Sequence, residues 1–337
     1  RALEKCPSLI VIPPHHDLYH QYSLKFMNIL REYTPIIEKF SVDEAYCDMT
    51  DYLREGEDPV LVAHHIKDRI FRELHFTVNV GVAPNKLLAK MASDFQKPNR
   101  VHTLFREEIP AKLWPLPVRD LFSVGGATAQ KLLSLGIHTI GELAHADPSI
   151  LKAHLKKQGA MIYAYANGYD DSPVSAADHL YKGYGNSTTT AFDVTDAQTA
   201  RLILRSLSET VGSRLRRDHR NASVVTVEIK NQNFITRSHQ CSLLSPTNVT
   251  DQIYETAATL FDQLWDGSPL RLLGVRATKL SEEETRQLNL FDMEQYDKLS
   301  KLDSAIDQIR NKYGKNSIMR ASFLNEDRID HMTGKKK

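Results

Sequence analysis

Phe40-Ser41-Val42-Asp43-Glu44-Ala45-Tyr46-Cys47-Asp48-Met49 decides how the rest of the chain is read. Residues 36–49 spell two short strands around a turn near Ser41–Asp43. Asp43 and Glu44 are adjacent, and in a straight strand adjacent side chains point to opposite faces. The two carboxylates can share one site only if the backbone turns there. Paired carboxylates are the usual protein ligands for Mg²⁺, and two such ions can stabilise the attacking and leaving oxygens of a phosphoryl transfer. An isolated Asp-Glu pair reads more simply as the solvated tip of an acidic hairpin. The surroundings must decide.

Downstream, Pro59 to Leu74 places Val60, Ala63, Ile66, Ile70 and Leu74 at helical spacing. Residues 76–82 alternate as a strand, and Asn85 to Phe95 follows as a helix with Pro84 near its start. Leu87, Leu88, Met91, Ala92 and Phe95 form its inward face. Taken singly, Lys86 and Lys90 read as solvated surface. Lys97 differs by position: it closes the helix before Pro98, where a flexible ammonium can reach a phosphate as a point charge. Strand, helix, strand, helix makes an α/β unit on a mixed sheet.

The acidic turn and the block Gly81-Val82-Ala83-Pro84-Asn85-Lys86, closed by Lys97-Pro98-Asn99, resemble two motifs of the Y-family (ImpB/MucB/SamB) translesion DNA polymerases, in order and at the right spacing. The resemblance runs through most of the chain. It implies an α+β multidomain fold: a partial palm, an all-helical thumb and a little finger. It also implies a template-directed, Mg²⁺-dependent, error-prone polymerase of the SOS repair type, with primer-template DNA and deoxynucleoside triphosphates as partners. In that family, residues matching Asp43 and Glu44 are metal ligands, and the lysine matching Lys97 contacts the incoming triphosphate.

Leu121 to Ile137 looks like a helix-hairpin-helix, and Thr139-Ile140-Gly141-Glu142-Leu143 follows at the family's spacing. Glycines allow close approach of a phosphate, and the amides that open the next helix can bind it. Gly125, Gly126 and Ala127 are therefore the expected grip on DNA backbone, although Val124-Gly125-Gly126 stands where the family often has Gly-Ile-Gly. Beyond a polar linker, the elements read β-α-β-β-α-β. Within them, Arg201 to Gln240 holds eight Lys/Arg against three acids, a local balance of +5. This region matches the little finger, which holds duplex DNA through its phosphates; the plainer reading is a solvated arginine face.

Gln287-Leu288-Asn289-Leu290-Phe291 has the form of a peptide that docks on the bacterial sliding clamp (the beta subunit). Leu290 and Phe291 would enter an apolar pocket, while Gln287 and Leu288 would fix the approach. Residues 292–337 follow, an arrangement closer to UmuC-like polymerases than to the short-tailed DNA polymerase IV type. Tyr296, Leu299, Leu302, Ile306, Ile309 and Tyr313 mark a last amphipathic helix.

The expected domains are 1–114 (partial fingers and palm), 115–178 (thumb), 179–186 (linker), 187–281 (little finger) and 282–337 (clamp peptide, helix and tail). The chain starts at Arg1 and has no match for the family's first palm strand, which carries a further metal-binding Asp. The chain alone is therefore expected to polymerise poorly. The alternative is a non-catalytic DNA- and clamp-binding fragment. Totals constrain less: 337 residues, 41% apolar, 25% charged and a net charge of +1 fit a globular protein of two or three domains. No apolar run approaches the ~20 residues that span a bilayer. Three scattered cysteines suggest neither a metal knuckle nor a disulfide framework, so the cytoplasm is the expected compartment.

Overall fold

The computed structural model describes residues 2–176, 181–282 and 293–323. The chain divides into two compact units, Arg1–Asp178 and His179–Lys337.

The first unit opens on helix α1 (His16–Arg31), which no motif announced. Hairpin β1 (Ile37–Lys39) and β2 (Ala45–Cys47) pairs antiparallel, with Lys39 opposite Ala45. Helix α2 (Pro59–Leu74) starts where Asp58 accepts a hydrogen bond from the Val60 N–H and Pro59 fills the first turn. Phe26, Met27, Ile29 and Leu30 of α1 pack with Val62, Ile66, Ile70 and Leu74 of α2. Strand β3 (Val80–Val82), helix α3 (Lys86–Asp94) and strand β4 (Val101–Thr103) complete an α/β unit, with β3 and β4 parallel. Both pairing senses are present, but in two separate two-stranded sheets rather than in one mixed sheet.

Residues 76–79, expected to extend β3, are not strand. Asn79 spends its side-chain amide on the end of α3 instead. One glycine governs this region. A Cβ on Gly81 would stand 1.9 Å from the Ala89 carbonyl oxygen, so only glycine lets β3 lie this close to α3.

Short helices follow: α4 (Gly126–Ser134), α5 (Ile140–Ala144), α6 (Pro148–Leu155) and α7 (Lys157–Ala166). A capping box between Thr139 and Glu142 opens α5. Leu87, Leu88, Met91 and Ala92 of α3 share one core with Leu121, Leu132, Ile140, Leu151 and Ile162, so α3 is fixed from the helical side as well.

The second unit reads β5 (Gly183–Val194), α8 (Ala197–Arg217), β6 (Asn221–Asn231), β7 (Thr236–Thr247), α9 (Thr250–Leu264) and β8 (Leu270–Ser281). This is the β-α-β-β-α-β order read from the sequence, although β5 begins at Gly183 rather than Ser187. The antiparallel sheet has strand order β5-β8-β6-β7. Helices α8 and α9 cover one face, where Val225, Val227, Ile229, Leu273, Val275 and Ala277 meet Leu204, Val211, Ile253 and Phe261. The other face carries cross-strand rows such as Gly185, Arg276, Thr226 and Gln240. A last helix, α10 (Met293–Tyr313), packs on α8.

Candidate active site

The turn between β1 and β2 is tight. Phe40 and Ser41 both donate backbone N–H groups to the Glu44 carbonyl, at 3.0 and 3.1 Å. That geometry brings Asp43 and Glu44 out of the straight strand that would have separated them. Ser41 Oγ donates to Asp43 Oδ1 at 2.7 Å, which orients the carboxylate. Phe40 anchors the turn, its ring 5.8 Å from Tyr46 and 6.1 Å from Phe122. Burial, with smaller electrostatic effects, pushes the Tyr46 hydroxyl up to about 12, so it is neutral at working pH.

Helix α3 runs beside this turn. Asn85 caps it by accepting from the Leu88 N–H at 2.9 Å. The Asn85 amide also donates to the Gly168 carbonyl, and Asp170 accepts from the Leu87 N–H at 3.1 Å. Lys86 and Lys90 are not the solvated pair expected of them. Their side chains are 17% and 16% exposed, and both meet acids of the hairpin. Lys86 Nζ donates to Glu38 at 2.8 Å and to the Pro173 carbonyl at 3.1 Å. Lys90 Nζ donates to Glu44 Oε1 at 2.5 Å and pairs with Asp94 at 3.1 Å. Asp94 in turn holds Lys97 at 2.8 Å.

Glu44, Lys90, Asp94 and Lys97 thus form an unbroken chain of alternating charge. It joins the acidic turn to the lysine at the end of α3. Burial pulls the Lys90 ammonium down, but its bonds to Glu44 and Asp94 outweigh that and hold its pKa above the usual value. Burial likewise raises Asp94, and its bonds to Lys97 and Lys90 more than reverse it. The spacing of Lys86 and Lys90, one helical turn apart, was the available signal that both face one way.

Two carboxylates of hard oxygen donors suit Mg²⁺. The Lys90 ammonium lies against Glu44 Oε1 at 2.5 Å. Among the described residues, no group of three or more His, Cys, Asp or Glu side chains is placed to hold a metal.

Gly125 and Gly126 cap and open α4. Neither has a positive φ, and a Cβ on either would meet nothing within 4 Å. The clamp-like residues Gln287, Leu288, Leu290 and Phe291 lie outside the described residues.

Many arginines of the basic stretch in the second unit meet acids. Arg201 pairs with Asp262, Arg205 with Asp251, Arg216 with Asp303 and Asp307, Arg217 with Asp218, Arg220 with Glu282, and Arg237 with Asp266. Most of the local +5 is neutralised by acids supplied from elsewhere in the chain. Arg216 is thereby held inside the fold, whereas Arg201, Arg217 and Arg237 make exposed surface pairs.

The chain is α+β, with an acidic hairpin beside a capped helix, followed by short helices and a split βαβ unit. The comparisons agree. The impB/mucB/samB family model matches residues 1–94, the IMS family HHH motif residues 106–137, and the impB/mucB/samB family C-terminal domain residues 181–290. DNA polymerase IV of Clostridium acetobutylicum is 43% identical over 326 residues, covering 97% of this chain and 82% of the relative. DNA polymerase IV 1 of Bacillus subtilis is 37% identical, covering 97% of this chain and 80% of the relative. Among solved structures, a Y-family DNA polymerase chimera of Dbh and Dpo4 superposes with a TM-score of 0.73 at 24% identity. It covers 84% of this chain and is itself covered over 82%. The chain belongs to the impB/mucB/samB family.

Proposed function

We propose that this chain carries part of the nucleotidyl-transfer centre of a DNA-directed, translesion DNA polymerase, and that it acts in the cytoplasm. The observation that carries the reading is the chain Glu44–Lys90–Asp94–Lys97, which ties a carboxylate turn, through two residues of α3, to a lysine just past the end of that helix.

Asp43 and Glu44 would hold Mg²⁺. Bound there, Mg²⁺ would supply charge neutralisation for the triphosphate and favour attack by the primer 3′ hydroxyl. Ser41 keeps Asp43 oriented. Lys90 balances Glu44, and Lys97, 61% exposed, is free to swing from Asp94 to a triphosphate oxygen. Primer extension by Asp43→Ala and Glu44→Ala proteins tests the reading.

The second reading, a DNA- and clamp-binding module without chemistry, is favoured by the lack of a third metal-ligating group among the described residues. Primer extension by the protein with the family's first palm strand supplied ahead of Arg1 separates the two. Mg²⁺-dependent synthesis supports the enzyme, and tight primer-template binding without synthesis supports the module.

DNA backbone would lie against Gly125, Gly126 and Ala127, at the start of α4, where a Cβ on either glycine would meet nothing within 4 Å. The glycines serve no folding need at these angles. Gly126→Ala should therefore keep or raise the melting temperature, since alanine favours a helix by up to about 1 kcal/mol. It should also weaken primer-template binding about tenfold, roughly 1.4 kcal/mol, as read by fluorescence anisotropy. Equal affinity would remove the phosphate role. In the second unit, the sheet face bearing Arg276, Thr226 and Lys230 is the surface proposed for duplex DNA.

Gln287, Leu288, Leu290 and Phe291 are proposed to dock on the sliding clamp. Changing Leu290 and Phe291 together to alanine should weaken clamp binding by at least about thirtyfold, as expected when anchor side chains of ~2 kcal/mol or more are lost. Unchanged affinity in a surface-binding measurement would end the docking reading.

A further inference from the structure

Asn79 is a half-buried amide in the lead to β3. Its side chain spans the whole return of chain that carries Lys97. Nδ2 donates to the Ser93 carbonyl at 3.0 Å and to the Gln96 carbonyl at 2.8 Å. Oδ1 accepts from the Arg100 backbone N–H at 3.0 Å. One amide therefore closes the segment 93–100 from both sides.

The physical need is clear. The last carbonyls of a helix have no partner within it. After α3 ends at Asp94, the chain must also reverse sharply to enter β4 at Val101. Asn99 takes a left-handed φ of 58° in that reversal. Other groups hold the turn only in part. His102 Nε2 lies 3.2 Å from the same Gln96 carbonyl, and Lys67 Nζ donates to Asn99 Oδ1 at 3.2 Å. Asn79 alone among these three reaches both limbs. A lysine loses much rotamer freedom when it is ordered. The fold limits that cost by fixing the backbone from which the side chain starts.

We propose that Asn79 is a positioning residue for the incoming triphosphate: it clamps the turn after α3 so that Lys97 starts from one fixed place. This rests on the reading of Lys97 as a triphosphate contact. The placement of β3 makes the arrangement possible, because Gly81 lets the strand approach α3 and leaves Asn79 beside the helix end.

The test compares Asn79→Ala, Lys97→Ala and the double variant. Deoxynucleotide affinity is measured on a primer ending in a dideoxy nucleotide, so that no chemistry follows. Extension rate at saturating nucleotide, primer-template affinity and melting temperature complete the set. Each single variant should weaken nucleotide binding about tenfold, while the saturated rate changes less than about threefold and DNA affinity holds. The double variant should be no weaker than the worse single, because both changes act through one ammonium.

A purely structural role would lower the melting temperature without this selective loss. If Lys97→Ala weakens binding and Asn79→Ala does not, or if the two losses multiply, the positioning role is wrong and the Lys97 reading stands. If Lys97→Ala has no effect, the Lys97 reading fails and the positioning role fails with it. Asn79→Ser, which shortens the amide but keeps a polar side chain, gives the same reading should the alanine protein not fold.

Discussion

In a protein that also carries the family's first palm strand, replacing Asp43 or Glu44 by alanine is expected to lower Mg²⁺-dependent primer extension about a thousandfold, or about 4 kcal/mol in the barrier. Primer-template affinity and melting temperature should change little. The expectation follows from where the charges sit. Asp43 is exposed and engaged only locally, by Ser41, in the contacts seen here. Glu44 is paired with Lys90, but its side chain is 39% exposed, so solvent screens the pair and its loss should cost at most about 1 kcal/mol. Lys90 also keeps Asp94 when Glu44 is gone, so no buried charge is stranded. A large loss of rate with an intact fold is thus the signature of metal ligation. Glu44→Gln should behave like the alanine variant, because an amide keeps the shape but not the charge that the cation requires. Synthesis within tenfold of the unaltered protein for both alanine variants would rule out these carboxylates as ligands.

Much of this architecture was legible before any coordinates. The hairpin around Asp43 and the capped helix after Asn85 follow from local chemistry: alternating apolar residues, a turn, an asparagine cap and a glycine. The second unit was legible because alternation and helical spacing follow one another cleanly from Ala197 to Leu280. Helix α1 carries Phe26, Met27 and Leu30 at helical spacing, but its first two turns hold His, Tyr and Gln and blur the apolar period. Strand 76–82 was read too long because alternation cannot show that Asn79 has a better use for its amide. The partners of Lys86, Lys90 and the arginines of α8 are hidden from the sequence for one common reason. Charge counted along a sequence ignores acids that arrive from distant segments. Arg216 meets Asp303 and Asp307, and Lys90 meets Glu44. Pairing of that kind is decided by tertiary packing and leaves no mark in local composition.

The last helix shows this most clearly and carries the second large prediction. Glu209 on α8 is 3% exposed and accepts from Arg310 of α10 at 2.9 Å and from Arg320 at 2.9 Å. Arg320 also reaches Asp251 at 3.1 Å, and Asp251 accepts from Arg205 at 3.0 Å. Nearby, Asp303 of α10 accepts from the Thr250 N–H at 2.7 Å and from Arg216 at 2.9 Å. The helix is thus fastened to α8 and to the start of α9 by buried charge. Its apolar stripe is a weaker hold, because Leu302 and Ile309 remain 46% and 37% exposed. Breaking a buried pair from one side costs about 3–5 kcal/mol, because the partner is left charged and unsolvated. Glu209→Ala takes a buried carboxylate from Arg310, which keeps its bond to the Ile318 carbonyl, whereas Arg320 retains Asp251. The expected result is a destabilisation of that size in denaturant unfolding, with early hydrogen exchange and proteolysis in residues 293–323. Changing Glu209 and Arg310 together to leucine should cost clearly less than Glu209→Ala, since no lone charge remains. Arg201→Ala, which breaks a pair exposed by nearly half on both sides, should cost no more than about 1 kcal/mol. If Glu209→Ala and Arg201→Ala prove equally mild, the buried network does not hold the helix, and its apolar contacts with α8 must do so.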